Sequence, residues 1–274
     1  MNSILVATNF SPLSMNATLY AASLAKQFKA KLILFNAFRL PLHASNTLLS
    51  AESVNDIIEE SKNKLKESAL QIKKDFGFEV YHECIYASIE DVLEQMMSKY
   101  DAKILIIGMS IKSIEQNLLG NPTTTLISLK KIPVLAIPLK AKYTGIKRIL
   151  FACDIMENVP LKILARLRQF ALMLKSEVEV FFVEQKINEL KAAAISKENN
   201  LNQLNTGLYG ITTIYKDIKS DFVIDEIKKE IEVFNAELLV MIPKKGGFWE
   251  SIIHKSKTRM MASGMDIPLF SIPV

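Results

Sequence analysis

Short apolar runs alternate along the chain with longer amphipathic stretches. Residues 4–7 and 104–107 are apolar throughout, which is typical of strands covered on both faces of a sheet. After the first run, Ser11 is a good helix cap and Pro12 suits the first helical position. A core-facing stripe at helical spacing follows, formed by Ala17, Ala21, Leu24 and Phe28. The pattern predicts strands and helices in alternation.

The predicted order in the first half of the chain is βαβαβαβαβ. The other strands are predicted at residues 32–37, 78–85 and 134–137, and the other helices at 50–76, 89–100 and 122–131. This order indicates an α/β fold with a doubly wound parallel sheet, because right-handed crossovers place helices on both faces.

A sheet of this kind also predicts where a ligand binds. Ligands lie outside the carboxyl ends of the strands, at the point where the strand order reverses. The loops of interest therefore follow Ala7, Ala37 and Ile107, with counterparts after Ala152, Val183 and Met241.

The same order of segments occurs twice, which predicts two tandem domains. The run ILVATN at 4–9 returns as ILFACD at 149–154, and KLILFN at 31–36 returns as EVEVFF at 177–182. Further on, DAKILIIG at 101–108 returns as NAELLVMI at 235–242, and IPVLAIP at 132–138 returns as IPLFSIP at 267–273. We predict domains at 1–140 and 146–274, joined by a polar connection.

Composition narrows the class of protein. The 274 residues are 49% hydrophobic and 23% charged, as expected of a soluble globular protein. No apolar run approaches the length needed to span a bilayer, and no signal peptide is visible. The two cysteines fall in different repeats and suggest no disulfide framework. The net charge is +5, and the lysine and arginine residues are scattered and not clustered, so we expect no nucleic-acid partner. We also expect a cytoplasmic protein without a membrane partner.

The segment after the fourth strand has features of an anion site. Gly108 ends that strand, and Gly120 precedes Asn121 and Pro122, a good cap and first residue for a helix. Free N–H groups and the helix dipole attract anions at such an end, and glycine allows a phosphate to approach the backbone closely. A glycine before a capped helix is also common in purely structural turns, and this alternative stays open.

The opening segment 4–11, the segment from Gly108 to Asn121 and the closing segment 132–135 resemble the universal stress protein family. The resemblance covers both repeats and implies two tandem five-stranded parallel-sheet domains, doubly wound and Rossmann-like. It also implies ATP, with Mg²⁺, as a ligand. Residues that would line the site by position are Ala7, Asn9, Ala37, Ile107, Gly108, Gly120, Asn121 and Thr123.

Three positions in the first repeat depart from the family pattern. The family motif is G-x-x-G followed further on by G-[ST], and here Ile111 stands at the second glycine and Asn121 at the Ser/Thr position. An acidic residue usually ends the first strand and contacts the nucleoside, but this chain has Asn9. An asparagine can still hydrogen-bond a hydroxyl, although it brings no charge. ATP binding in the first repeat is therefore plausible but weakened.

The second repeat keeps the acid and loses the glycines. Asp154 stands at the strand end, while Ile242, Lys245 and Lys255 replace the three glycines and Ser256 keeps the hydroxyl position. We predict that this repeat does not bind ATP in the family's usual way. One alternative is a site for another anion around Asp154, Lys245, Lys255 and Ser256. The other is a surface loop with solvated lysines.

No sequence feature points to catalysis. The three histidines have no metal-ligand spacing, and neither a Walker A sequence nor a G-x-S-x-G elbow is present. We expect no enzyme beyond an incidental slow ATPase. Two functions remain: a nucleotide-binding stress or regulatory protein, and an interaction protein whose nucleotide sites have decayed. The family resemblance further implies an internal pseudo-dimer through the last strand of each repeat, with a homodimer possible.

Overall fold

A computed structural model describes residues 2–38, 51–109, 126, 131–153, 159–184, 192–243 and 266–273. The chain divides into two compact units, with the main break between Tyr143 and Thr144. Each unit contains a five-stranded parallel sheet with helices between the strands. The α/β architecture predicted from the alternation of elements is confirmed.

The first unit follows the predicted order of elements closely. Its strands are β1 (Ser3–Ala7), β2 (Lys31–Phe38), β3 (Val80–Tyr86), β4 (Ala102–Met109) and β5 (Val134–Pro138). Its helices are α1 (Pro12–Phe28), α2 (Ala51–Phe76) and α3 (Ile89–Lys99). The strand order is β3-β2-β1-β4-β5, so the order reverses between β1 and β4. The helix predicted at 122–131 lies almost entirely outside the described residues.

The second unit repeats this plan. Its strands are β6 (Arg148–Cys153), β7 (Glu177–Glu184), β8 (Thr213–Lys219), β9 (Leu238–Met241) and β10 (Leu269–Ser271). Its helices are α4 (Leu161–Leu174), α5 (Ala192–Gly207) and α6 (Val223–Phe234). The strand order β10-β9-β6-β7-β8 places the reversal between β6 and β9.

Matching helices of the two units end with the same backbone conformation. Helix α1 ends at Lys29 with φ +52°, and α4 ends at the matching Lys175 with φ +57°. Asp101 after α3 and Asn235 after α6 have φ values of +47° and +51°. Asn and Asp adopt this left-handed conformation more readily than most residues, whereas lysine rarely does. Shared positive-φ residues at two matching places support a duplication.

The helix starts differ, and the difference bears on the candidate site. Ser11 caps α1, because its hydroxyl accepts a hydrogen bond from the backbone N–H of Ser14 at 3.3 Å. Helix α4 follows Pro160 and has no such side-chain cap. The capped and the uncapped helix each follow the first strand of their unit.

The two cores are built from the central strands and the apolar helix faces. Residues 4–6 of β1 and 149–151 of β6 are completely buried, as predicted for strands covered on both faces. Helix α1 contacts β4 and buries small side chains such as Ala17, Ala21 and Ala25. Within the described residues, no helix has the length and apolar character needed to cross a membrane.

Candidate functional site

The carboxyl edge of the first sheet brings several predicted residues together. In the parallel register, Val6 of β1 lies opposite Leu34 of β2 and Ile106 of β4. Ala7, Ile107 and Gly108 therefore lie at the same level of this edge, and Ala37 lies beyond the end of β1 on the neighbouring strand. This edge contains the reversal of strand order, where doubly wound sheets bind ligands.

A polar turn connects β1 to α1 at this edge. The Asn9 side-chain oxygen accepts hydrogen bonds from the Ser11 N–H at 3.2 Å and from the Ser11 hydroxyl at 2.7 Å. The backbone N–H of Asn9 donates to the Ser14 hydroxyl at 3.3 Å. Phe10 between them has φ +63°, so the turn uses a left-handed residue that is not glycine.

The hydrogen bonds of the turn determine what Asn9 offers to a ligand. The described contacts of its side chain use the oxygen only, so the amide NH₂ is the group left to interact. An aspartate would have a second carboxylate oxygen to accept a bond from a hydroxyl. Asn9 therefore presents donors where the family's acid presents acceptors.

A buried asparagine lies beneath this turn. Asn36 of β2 is only 4% exposed, and its amide donates to the Thr8 carbonyl oxygen at 2.7 Å. The Cys84 thiol approaches the Asn36 side-chain oxygen at 3.6 Å. Burial raises the pKa of the Cys84 thiol, which the charge of Lys62 only partly opposes. This thiol is therefore held protonated and poorly nucleophilic.

This network also contains Thr8, Ser14 and Asn36, which the pattern of the sequence did not predict as site residues. Asn36 gave a usable signal, because it is a polar residue at the end of the apolar run 32–35. Thr8 and Ser14 are also buried, and their hydroxyl oxygens are 3.1 Å apart. Together the three residues fix the backbone at the end of β1, which positions Asn9.

Gly108 has a packing role in the structure. A Cβ atom at this position would lie 2.6 Å from the Leu13 Cγ and 3.0 Å from the Leu13 carbonyl oxygen. The absence of a side chain therefore allows the first turn of α1 to approach β4. The structural alternative that was left open for Gly120, the glycine before the predicted helix cap, stays a prediction.

The matching edge of the second sheet is more apolar. By the repeat alignment, Cys153 occupies the place of Thr8 and Phe182 that of Asn36. The Phe182 ring is 98% buried and stacks on the Tyr215 ring at a centroid distance of 6.4 Å. The Tyr215 hydroxyl donates to the side-chain oxygen of Asn205 at 2.7 Å. The asparagine that ties β2 to β1 thus has no polar counterpart on β7.

Several predicted site residues lie outside the described parts of the chain. These are Gly120, Asn121 and Thr123 of the first repeat, and Asp154, Lys245, Lys255 and Ser256 of the second. The structure consequently describes the strand-end side of the first candidate site and not its helix-start side. Among the described residues, no group of three or more His, Cys, Asp or Glu side chains could hold a metal ion.

Comparisons with known proteins agree with this geometry. The chain matches the model of the Universal stress protein family over residues 1–138. It is similar to a universal stress protein from Archaeoglobus fulgidus DSM 4304, with 16% identity, a TM-score of 0.70 and coverage of 99% of this chain and 96% of that chain. No curated protein matches it.

Two other solved structures extend the comparison. The cytoplasmic domain of a prokaryotic cation chloride cotransporter has 12% identity and a TM-score of 0.51, covering 98% of this chain and 94% of that chain. A universal stress protein solved in complex with cAMP has 21% identity and a TM-score of 0.39, covering 50% of this chain and 96% of that chain. Because the sequence identities are low, the two structures with TM-scores above 0.5 show that the fold is similar and nothing more.

Proposed function

The chain belongs to the universal stress protein family, and from this premise we propose that its first unit binds ATP and transmits the bound state to a protein partner. A ligand can regulate a protein only when two conformations bind it with different affinities. The proposed function is thus that of a nucleotide-dependent regulatory protein in a stress response.

The polar carboxyl edge of the first sheet is the observation that supports this proposal. The capped turn at Asn9 and Ser11 lies at the reversal of strand order, and the buried Asn36 holds the preceding backbone in place. The second unit has Phe182 and Cys153 at the corresponding positions. Among the described residues, this polar strand-end network occurs in the first unit and not in the second, which favours one nucleotide site per chain.

The proposed site divides the nucleotide between two groups of residues. Asn9 is placed to meet the nucleoside end, where its amide would donate to an oxygen acceptor. Gly120, Asn121 and Thr123 are assigned to the phosphates by the family resemblance, with backbone N–H groups at the predicted helix start as donors. Mg²⁺ would accompany the phosphates, because it is usually held by them together with water.

An interaction protein without a nucleotide is the second candidate. Two observations favour it: the side-chain oxygen of Asn9 is already engaged by Ser11, and Gly108 makes room for Leu13. Both features remove a reason to expect the family's nucleotide contacts at those positions. On this hypothesis the chain acts through its surface and its oligomeric state.

Calorimetric titration with ATP and Mg²⁺ distinguishes the two functions, once any carried-over nucleotide has been stripped from the purified protein. We expect one site per chain, lost in Gly120→Leu and kept in the control Gly246→Leu of the second repeat. Parallel titrations with ADP, AMP and cAMP test the dependence on the phosphates. No heat at millimolar ATP would support the interaction protein instead.

A gain-of-function variant tests the role of Asn9. In Asn9→Asp, one carboxylate oxygen can keep both hydrogen bonds from Ser11, and the second becomes an acceptor for a ribose hydroxyl. This bond replaces the one donated by the amide, and a charge-assisted hydrogen bond is worth about 1 kcal/mol more than a neutral one, so ATP affinity should rise about fivefold. The same change at the start of α1 should not destabilise folding, because a carboxylate there interacts favourably with the helix dipole. Equal or weaker binding than in the native protein would contradict the proposed place of the nucleoside.

Other properties follow as proposals from the same premise. We propose that the protein is not an enzyme beyond incidental slow ATP hydrolysis, that it acts in the cytoplasm, and that its two repeats pair as an internal pseudo-dimer. The anion site around Asp154, Lys245, Lys255 and Ser256 stays a prediction from the sequence.

A further inference from the structure

The core of the second unit contains two acidic side chains at positions where the first unit is apolar. Glu179 of β7 matches Ile33 of β2 in the repeat alignment, and Glu230 of α6 matches Met96 of α3. Ile33 and Met96 are at most 1% exposed, and both glutamates are only 5% exposed. The second unit therefore buries two ionisable groups where its sister unit buries hydrocarbon.

The two glutamates face each other within one cluster. Helix α6, which carries Glu230, contacts β7, and the charges of Glu230 and of Glu177 on the same strand both raise the pKa of Glu179. Lys216 of β8 forms an ion pair with Glu230 at 2.5 Å. Next to Glu179, β6 contributes the buried Leu150. Lys216 is thus one positive charge beside the two buried carboxyl groups and the partly buried Glu177.

The hydrogen bonds of the cluster are incomplete. Oε1 of Glu179 is buried and has no hydrogen-bond partner among the described residues. A buried carboxylate in that situation is strongly disfavoured, and two carboxylates cannot hydrogen-bond each other unless one is protonated. Lys216 is bound to Glu230 and is itself 39% exposed, so it does not neutralise both acids.

We propose that Glu179, beside the ion pair of Glu230 and Lys216, holds a proton at neutral pH, and that release of this proton to solvent loosens α6 and β8 from the sheet of the second unit. Local opening of the second unit would therefore depend on pH in the neutral range, and we call this proton-binding site the device. The first unit has Ile33 and Met96 at the same places and lacks the device.

The sign of the pH effect follows from the environment of the pair. Burial, and after it the charge and hydrogen bond of Glu230, raise the pKa of Glu179 from an ordinary 4.5 to about 7. The folded unit consequently binds more protons than the unfolded unit between these two values. Stability falls as the pH rises through this window and is constant and lowest above it.

Amide hydrogen exchange of α6 and β8 tests the proposal. The measured exchange rate is divided by the intrinsic rate at each pH, which gives the equilibrium constant for local opening. With these pKa values, linkage predicts that the opening equilibrium of the wild-type protein increases about tenfold from about pH 6 to pH 8. The increase should disappear in Glu179→Gln, whose amide can donate to Glu230. It should persist in Glu232→Gln, an exposed acid on the same helix. Peptides from α3 serve as an internal reference.

Two further measurements test the proposal even if Glu179→Gln folds poorly. Carboxyl ¹³C shifts in the wild-type protein should show one glutamate titrating near pH 7. The double variant Glu179→Ile/Glu230→Met installs the residues of the first unit and should open equally at both pH values. Ordinary titration of both glutamates, or an unchanged pH response in the double variant, would overturn the proposal.

Discussion

Replacing Gly108 with alanine should destabilise the first unit even without a ligand. The new Cβ would lie 2.6 Å from the Leu13 Cγ, whereas favourable carbon contacts are about 3.5–4.0 Å. The Leu13 side chain can rotate away, but its carbonyl oxygen and carbon, at 3.0 and 3.1 Å, belong to the first turn of α1. The helix must therefore shift by a few tenths of an ångström on β4.

The magnitude follows from two opposing effects. Overpacking in a well-packed core costs about 1–3 kcal/mol. Alanine also restricts the unfolded chain, which returns about 0.4–1 kcal/mol. We expect a net loss of about 1–2 kcal/mol, which corresponds to a fall of roughly 3–10 °C in the Tm of a domain of this size.

Thermal and urea unfolding without nucleotide measure this loss, and a companion variant identifies its cause. In a Leu13→Ala background, the side-chain part of the clash is gone, so Gly108→Ala should cost less there. The remaining cost reports the backbone contact. An unchanged Tm in Gly108→Ala would refute the packing role, whereas the same cost in both backgrounds would assign that cost to the Leu13 backbone alone. If the packing role holds, weaker ATP binding in a Gly108 variant is not evidence of a phosphate contact.

Two further predictions concern polar groups of the first unit. Asn36→Leu removes the hydrogen-bond donor to the buried Thr8 carbonyl and should lower the free energy of unfolding in urea by about 1–3 kcal/mol. A variant as stable as the native protein would contradict the tie between β1 and β2. For Glu83, burial is the largest single effect and raises the pKa, but hydrogen bonds from Lys99 and Tyr100 outweigh it and lower the pKa overall. Glu83→Gln should therefore cost about 0.5–1 kcal/mol at neutral pH and less as the pH falls through the lowered pKa; a cost that grew in acid would exclude this cause.

Much of the fold could be predicted from the sequence because strand and helix signals are local. The apolar runs at 4–7 and 104–107 form the centres of β1, which begins one residue earlier, and of β4, which extends two residues further at each end. Strand ends depend on hydrogen bonds to neighbouring strands, and the apolar pattern does not contain them. The repeat was also visible in the sequence, and the left-handed helix ends at Lys29 and Lys175 add a conformational match that composition could not predict.

The candidate site could be predicted only as a location. The alternation of elements and the reversal of strand order predict a site at the loop after Ala7, where Asn9 stands as a neutral residue in place of an acid. The use of its oxygen by Ser11 was not predictable, because it depends on the left-handed turn at Phe10. The helix-start residues of the site, from Gly120 onward, stay predictions.

The sequence by itself determined the class of fold, the duplication and the edge of the sheet that can bind a ligand, since each of these follows from local periodicity and from the order of segments. Only the tertiary structure decided which distant residues meet. Leu13 fills the space at Gly108, Asn36 ties two strands together, and Glu179 faces Glu230. The physical reason is that burial and proximity arise from strand register and helix packing, and the energies of a glycine or a glutamate depend on neighbours that are far away along the chain.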